Sequence, residues 1–264
     1  MSLFKVDIVP TEPDPRLVFA PNYGEDIPKL PGMWSWHSLQ RRFVTLDSSS
    51  NIESVADRSG NGRTLGGVSA AARPAFVDEQ INGRGVARFA GLQGLIYQGD
   101  HPTGAYTNIL VVKPQASTTT GTIFGQTTSS NNNHRSYLDP NTLAFHHQAQ
   151  NGVLAAGDAN ANAGVAAADE WHILISSFNG AANTVKAKVD AQAVAVVTKT
   201  GLTAINSLTN YYGCGNFPSG VPASGFKGDG AEMIVMSVDL LDPSQAETLA
   251  FLAGYFETAF SKTI

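Results

Sequence analysis

Cysteine is nearly absent: the 264 residues hold one, Cys214. No intrachain disulfide can form, so the fold must stand on its apolar core. Cys214 itself reads as a small buried apolar residue. Charge is sparse too. Asp, Glu, Lys and Arg make up 15% of the chain, well below the roughly one quarter of typical domains. Ser, Thr, Asn, Gln and Gly must therefore dress the surface. The net charge is −5 and no basic cluster exists beyond Arg41-Arg42, which excludes the electrostatic footprint of a nucleic-acid binder. No apolar run is long enough to span a membrane as a helix. Met1–Asp7 lacks the apolar segment and small-residue cleavage site of a secretory signal. The chain is therefore expected to be made in a cytosol and to reach the outside, if it does, by another route.

Catalytic and metal-ligating spacings are also missing. Acids at alternate strand positions would share one face and could act as nucleophile and acid/base on a glycosidic bond. No such run occurs. Asp78 and Glu79 are adjacent and would point opposite ways, and Glu232 stands alone in an apolar strand, which suggests a structural role. His146 and His147 are adjacent and would also face opposite sides, so they do not make a zinc pair. No enzymatic activity, no cofactor and no metal are expected, apart from possible Ca²⁺ coordination by Asp57 with Asn61 or by Asp158 with Asn160. The other reading of those residues is that Asx side chains simply shape turns.

What is present is β structure. Hydrophobic residues make up 42%, enough for a core. Pro10, Pro13, Pro15, Pro21, Pro28 and Pro31 favour extended backbone, so residues 1–42 are expected to form an arm, packed on a neighbouring subunit or back on its own domain. Trp34 and Trp36 would share a face in a strand, as a sugar-stacking platform or as core. Phe43–Asp47 is the expected first strand. Val55–Leu65 reads as a tight turn in which Gly60 and Gly62 supply positive φ. Strands are expected at Val86–Phe89, Leu95–Tyr97, Tyr106–Lys113, Gly121–Gly125, His134–Leu138, Thr142–Gln148, Glu170–Phe178 and Ala231–Ser237. Thr127–Asn133 and Ala149–Ala168 read as loops. Thr184–Asp190 and Ala193–Thr198 form a hairpin with the lysines of the first strand facing solvent. From Asp242 the apolar period changes to that of a helix ending near Phe260. Asp242 is its N-cap, Pro243 takes the first position and Gln245 has capping-box spacing. The fold class is all-β: a two-sheet antiparallel jelly-roll sandwich over residues 43–264, with an extended N-terminal arm and one C-terminal α-helix.

The order of several blocks resembles the concanavalin A-like lectin/glucanase superfamily, in particular its laminin-G-like branch. Asp57-Arg58-Ser59-Gly60-Asn61-Gly62 is similar to that family's opening turn. Arg73-Pro74, Ile81-Asn82-Gly83 and Val86–Gly91 follow in the family's order. So do Trp171-His172-Ile173 and Phe226–Glu232 ahead of the closing helix. The likeness covers about Phe43 to Ile264. It departs from the family at Asp190-Ala191, where an Asn-Gly turn is usual, and at Ala90, where an aspartate is. The resemblance implies two stacked sheets with ligand sites on a concave face or among rim loops.

The candidate ligand-binding residues are Asn132, Asn133 and His134 on a rim loop, Tyr137 beside them, and Tyr211 and Tyr212, one offering a ring to a ligand and one in the core. The low-charge polar surface, the unsignalled start and the arm suggest a non-enzymatic particle-surface protein, such as a phage decoration, tail or fibre-associated subunit located on the virion. It would self-associate or join other virion proteins through the arm, and attach to a host glycan. The alternative is a stand-alone carbohydrate-binding module or adhesin, extracellular or on the cell surface. A glycoside hydrolase on the same fold is a third reading.

Overall fold

A computed structural model describes residues 21–129, 132–151, 159–202, 209–213 and 225–264, without the side chains of 127–129, 132, 133, 151 and 209. In chain order the strands are β1 (Met33–Ser38), β2 (Val44–Leu46), β3 (Ile52–Val55), β4 (Leu65–Gly67), β5 (Ala75–Ile81) and β6 (Arg84–Ala90). Then come β7 (Leu95–Gln98), β8 (Ala105–Pro114), β9 (Gly121–Ser129), β10 (Asn132–Leu138), β11 (Ala144–Asn151) and β12 (Ala159–Val165). The last are β13 (His172–Asn179), β14 (Thr184–Val189), β15 (Ala195–Thr198), β16 (Thr209–Tyr212) and β17 (Lys227–Met236). Helix α1 is the short turn Tyr23–Asp26, and α2 is Ala246–Phe260.

The strands form the expected antiparallel sandwich. Sheet A runs β15–β14–β13–β8–β17–β6–β5, and sheet B runs β12–β11–β10–β9–β16–β7–β4–β3–β2. In sheet A, β6 pairs with Lys227–Gly230 of β17 and β1 pairs with Glu232–Met236, so two strands share one edge of β17. The main core lies between the sheets, around Phe89, Leu110, Phe124, Phe145, Leu174 and Phe178. A second core lies between the outer face of sheet A and α2, around Trp36, Ile109, Ile175, Ile234, Phe256 and Phe260. Sheet A is thus covered on both faces. That is why β8, β13 and β17 read as almost unbroken apolar runs, whereas β12 alternates buried and exposed.

Several elements differ from the sequence reading. Met33–Ser38, assigned to the arm, is a strand of sheet A, and α1 precedes it; residues 1–20 lie outside the described residues. The two tryptophans do not share a face. A bulge between Met33 and Ser35 inserts an extra residue. Trp34 therefore packs into the intersheet core, while Trp36 packs under α2. Strand pairing runs through much of the two expected loops: β9 and β10 cover Thr127–Ser129 and Asn132–Asn133, and β11 and β12 cover Ala149–Asn151 and Ala159–Val165. Lys186 does not face solvent. The chain that follows β17 covers it, and its Nζ donates to Asp239 at 2.7 Å. The C-terminal helix ends where expected, with Asp242 accepting from Ser244 N at 3.0 Å. Its first turn, Pro243–Gln245, is a 3₁₀ turn and Gln245 makes no side-chain cap bond. Cys214 lies outside the described residues.

Candidate functional site

The turn at Asp57 is a closed structural device. Asp57 Oδ1 accepts from the backbone N–H of Trp36 at 3.0 Å and of Ser59 at 2.9 Å. Oδ2 accepts from the Ser59 hydroxyl at 2.8 Å and the Arg63 N–H at 2.9 Å. Asn61 Nδ2 donates to the carbonyls of Met33 and Trp34. Gly60 and Gly62 adopt φ of +84° and +73°, as the turn requires. Burial pushes the Asp57 carboxyl up, but the bonds from Trp36, Arg63 and Ser59 outweigh it and hold the group below its ordinary value. Both oxygens are committed to N–H and O–H donors, so this pair is a turn and not a cation site. Asp158, of the other suggested pair, lies outside the described residues. Among the described residues no cluster of three His, Cys, Asp or Glu could hold a metal ion.

His134 is not on a rim. It is fully buried between the sheets, in a polar network with Tyr106 and His147. The Tyr106 hydroxyl lies 2.7 Å from His134 Nδ1 and 3.3 Å from His147 Nε2. His147 Nδ1 lies 3.1 Å from Ser136 Oγ, which donates to Ser176 Oγ at 2.8 Å. His101 is close by, edge-on to the Tyr106 ring at 4.7 Å, and lies 2.8 Å from the Gln126 amide. Burial, chiefly, pushes the imidazoles of His101 and His147 down to about 3. These groups are neutral near pH 7 and shielded from solvent, which makes them core hydrogen-bonding residues.

The alternation that sends His134, Ser136 and His147 inward sends their neighbours outward. On the outer face of sheet B, Arg135 and Tyr137 of β10 stand beside His146 and Gln148 of β11 and Asn160 of β12. Tyr137 and His146 are cross-strand partners whose rings stack 4.8 Å apart at an interplanar angle of 4°. The Arg135 guanidinium lies 4.8 Å from the Tyr137 ring centroid and its Nε donates to Gln148 Oε1 at 2.7 Å. Asn160 Nδ2 donates to the Tyr137 hydroxyl at 3.1 Å, and its Oδ1 lies 3.3 Å from His146 Nδ1. Partial burial pushes the His146 imidazole down, helped by Arg135 and opposed by Asn160 and Asp139. The result is a fixed patch of planar groups with amide edges, open to solvent at Asn160 and Asn162.

The register carries this face across the sheet. Arg135 pairs with Gly125 of β9, Gly125 with Tyr211 of β16, and Tyr211 with Ile96 of β7. Gly125 has no side chain, so a gap two strand spacings wide, about 10 Å, separates Arg135 from Tyr211. Tyr211 lies on this outer face against Val68 and Ile96 and is only 6% exposed. Tyr212 points inward and packs on Phe89 at 5.6 Å, so one tyrosine of the pair is in the core, as expected.

Of the six sequence candidates, Tyr137 and Tyr211 are therefore on the outer face, and His134 and Tyr212 are in the core. The side chains of Asn132 and Asn133 are outside the described set. Sequence reasoning did not select Arg135 or Gln148, it weighed His146 only against a zinc pair with His147, and it read Asn160 as a calcium ligand or a turn former. The available signal was the period-two pattern Arg135-x-Tyr137 opposite His146-x-Gln148.

No family model matches the sequence, and no curated protein sequence matches it. Solved structures do match the fold. Domain 4 of AbnA, an extracellular GH43 arabinanase from Geobacillus stearothermophilus, in complex with arabinotriose, has a TM-score of 0.60 at 19% identity over 83% of this chain and 98% of that one. A structure of botulinum neurotoxin type C, whose cell entry depends on interaction with two ganglioside molecules, gives 0.55 at 10% identity over 85% of this chain and 51% of that one. The CBM40 of the Ruminococcus gnavus IT-sialidase, bound to α2,3-sialyllactose, gives 0.50 at 11% identity over 62% and 95%. At these identities the fold is what is shared. The chain shares their β-sandwich fold.

Proposed function

We propose that this chain is a non-catalytic carbohydrate-binding domain and that the outer face of sheet B, at β10–β12, holds the sugar. The observation that carries this reading is the stack of Arg135, Tyr137 and His146, edged by Gln148 and Asn160. Planar groups offer apolar faces to a sugar ring, and the exposed Asn160 amide offers a hydrogen bond to its hydroxyls. Arg135 is the one charged group of these five, which suits a neutral or weakly acidic glycan. The fold neighbours bound to arabinotriose and sialyllactose support the module reading more than the particle-surface one. The non-enzymatic part rests on how the described inner carboxylates are engaged. Asp57 is bound by its turn, Asp229 by Arg88, Asp239 by Lys186, and Glu232 by Trp36 and Tyr255. The finer assignment to the concanavalin A-like class rests on the order of the motifs from Asp57 to Glu232.

The test is a glycan array probed with the full chain and with Tyr137→Ala, followed by calorimetry on any glycan that binds. The variant is expected to weaken binding by about tenfold, roughly 1–2 kcal/mol. Undiminished binding by a folded Tyr137→Ala protein would refute the site. The particle-surface reading is tested separately, by light scattering on the full chain and on a chain lacking residues 1–31. An oligomer that becomes a monomer on deletion would favour assembly through the arm, whereas two monomers would remove that reading.

A further inference from the structure

On the other side of sheet A, a cleft of about 310 Å³ opens between the Asp57 turn, α1 and the last turns of α2. Three arginines line it, Arg42, Arg58 and Arg84, with an aromatic wall of Tyr23, Trp36 and Tyr255. The arginines are held by ring contacts. Arg58 lies 3.5 Å from the Trp36 ring centroid and 4.4 Å from that of Phe43, so its plane is clamped. Arg42 lies 4.7 Å from the Phe43 ring, and Arg84 lies 4.9 Å from Phe260.

Their charge is only partly matched. Glu232, 1% exposed at the base, accepts from Trp36 Nε1 at 2.8 Å and Tyr255 OH at 2.5 Å and lies 3.6 Å from Arg84. Among the described residues, Arg42 and Arg58 have no hydrogen-bond or ion-pair partner. Among the described residues, no acidic side chain lines the cleft itself. Arg84 and Arg58 are the arginines that act on Glu232, and Arg42 adds a third positive charge at the exposed edge of the cleft. Burial lowers the Arg58 pKa, Glu232 opposes this, and Arg42 and Arg84 add to the lowering. A clamped, planar guanidinium with free N–H groups is pre-organised for bidentate contact with an oxyanion. The volume falls at the lower end of the range for small-molecule sites.

We propose that the cleft lined by Arg42, Arg58 and Arg84 binds the oxyanion of a small ligand (phosphate, sulfate or carboxylate), independently of the sugar face on sheet B. The test uses the full chain, with tryptophan fluorescence and calorimetry as readouts. The probes are inorganic phosphate, inorganic sulfate and glucuronate, with glucose as the uncharged control. Saturable binding of at least one anion, and none of glucose, is expected. Preference for phosphate and sulfate would identify a tetrahedral group, and preference for glucuronate a carboxylate. Arg42→Gln, an exposed substitution that removes no described bond, should weaken binding at least about tenfold. Arg58→Lys keeps the charge but loses the planar fork and should weaken it as much. If Arg58→Lys fails to fold, Arg42→Gln decides alone. Failure of all three anions to saturate, or equal affinity in folded Arg42→Gln, would overturn the proposal.

Discussion

Two side-chain types dominate the behaviour of this protein at the residue scale: the buried imidazoles and the turn carboxylate. His101 and His147 are held neutral down to about pH 3, whereas an unfolded histidine takes up its proton near 6.5. Between those values the unfolded chain binds more protons, so stability falls as pH drops below about 6.5. The limiting slope is about 1.4 kcal/mol per pH unit for each histidine. Burial lowers His37 in the same direction. Urea unfolding at pH 7 and pH 5 should show lower stability at pH 5, and His147→Gln should reduce the difference. Equal stability at the two values would contradict the buried network. Asp57 has the opposite sign. Its folded carboxyl lies below the ordinary 3.8, so its contribution is complete above that value and is lost as pH falls below it. Asp57→Ala strands three N–H donors and one hydroxyl and should cost about 2–4 kcal/mol in an unfolding titration at pH 7. This turn was legible because Asp, Ser, Asn and Gly each have a local conformational reason to be there. His134 was not. Three asparagines before it suggest a loop, and only strand pairing with β9 and β11 shows that it points into the core.

At the scale of elements, legibility followed burial. β8, β13 and β17 were evident because both faces of sheet A are covered, and α2 because its apolar residues recur with helical period. β12 was missed although its Ala-Asn-Ala-Asn-Ala pattern alternates. Alanine and asparagine are weak strand formers, and the small inward alanines are effective only when packed against a second sheet. β1 was hidden by the prolines before it and by a bulge that no period-two reading anticipates. The same covering of sheet A explains Lys186. A lysine on an alternating strand is expected in water, but the segment after β17 lies over it and supplies Asp239, which also accepts from Ser177. Removing one partner leaves a buried charge unpaired, so Asp239→Ala should cost about 3–5 kcal/mol in chemical denaturation. The double variant Asp239→Leu/Lys186→Met should recover most of that. A loss below about 1 kcal/mol in the single variant would show the pair to be solvated.

The whole molecule is three layers deep, with sheet B, sheet A and α2 in that order, and the layers assign different roles to its two outer sides. Sheet B exposes part of its outer face at β10–β12, where Arg135, Tyr137, His146 and Asn160 form the proposed sugar site. The helix side closes a second core and leaves the arginine cleft at its edge. Low overall charge was visible in the composition, but the gathering of Arg42, Arg58 and Arg84 was not, since the short turn at Arg42, the Asp57 turn and the start of β6 meet only in the fold. The most direct test of the central claim is hydrogen–deuterium exchange on the full chain with and without a glycan selected from the array. The account expects slower exchange in residues 132–138, 144–151 and 159–165 and unchanged exchange in 246–260. Protection confined to α2 and the Asp57 turn, with none in β10–β12, would contradict it.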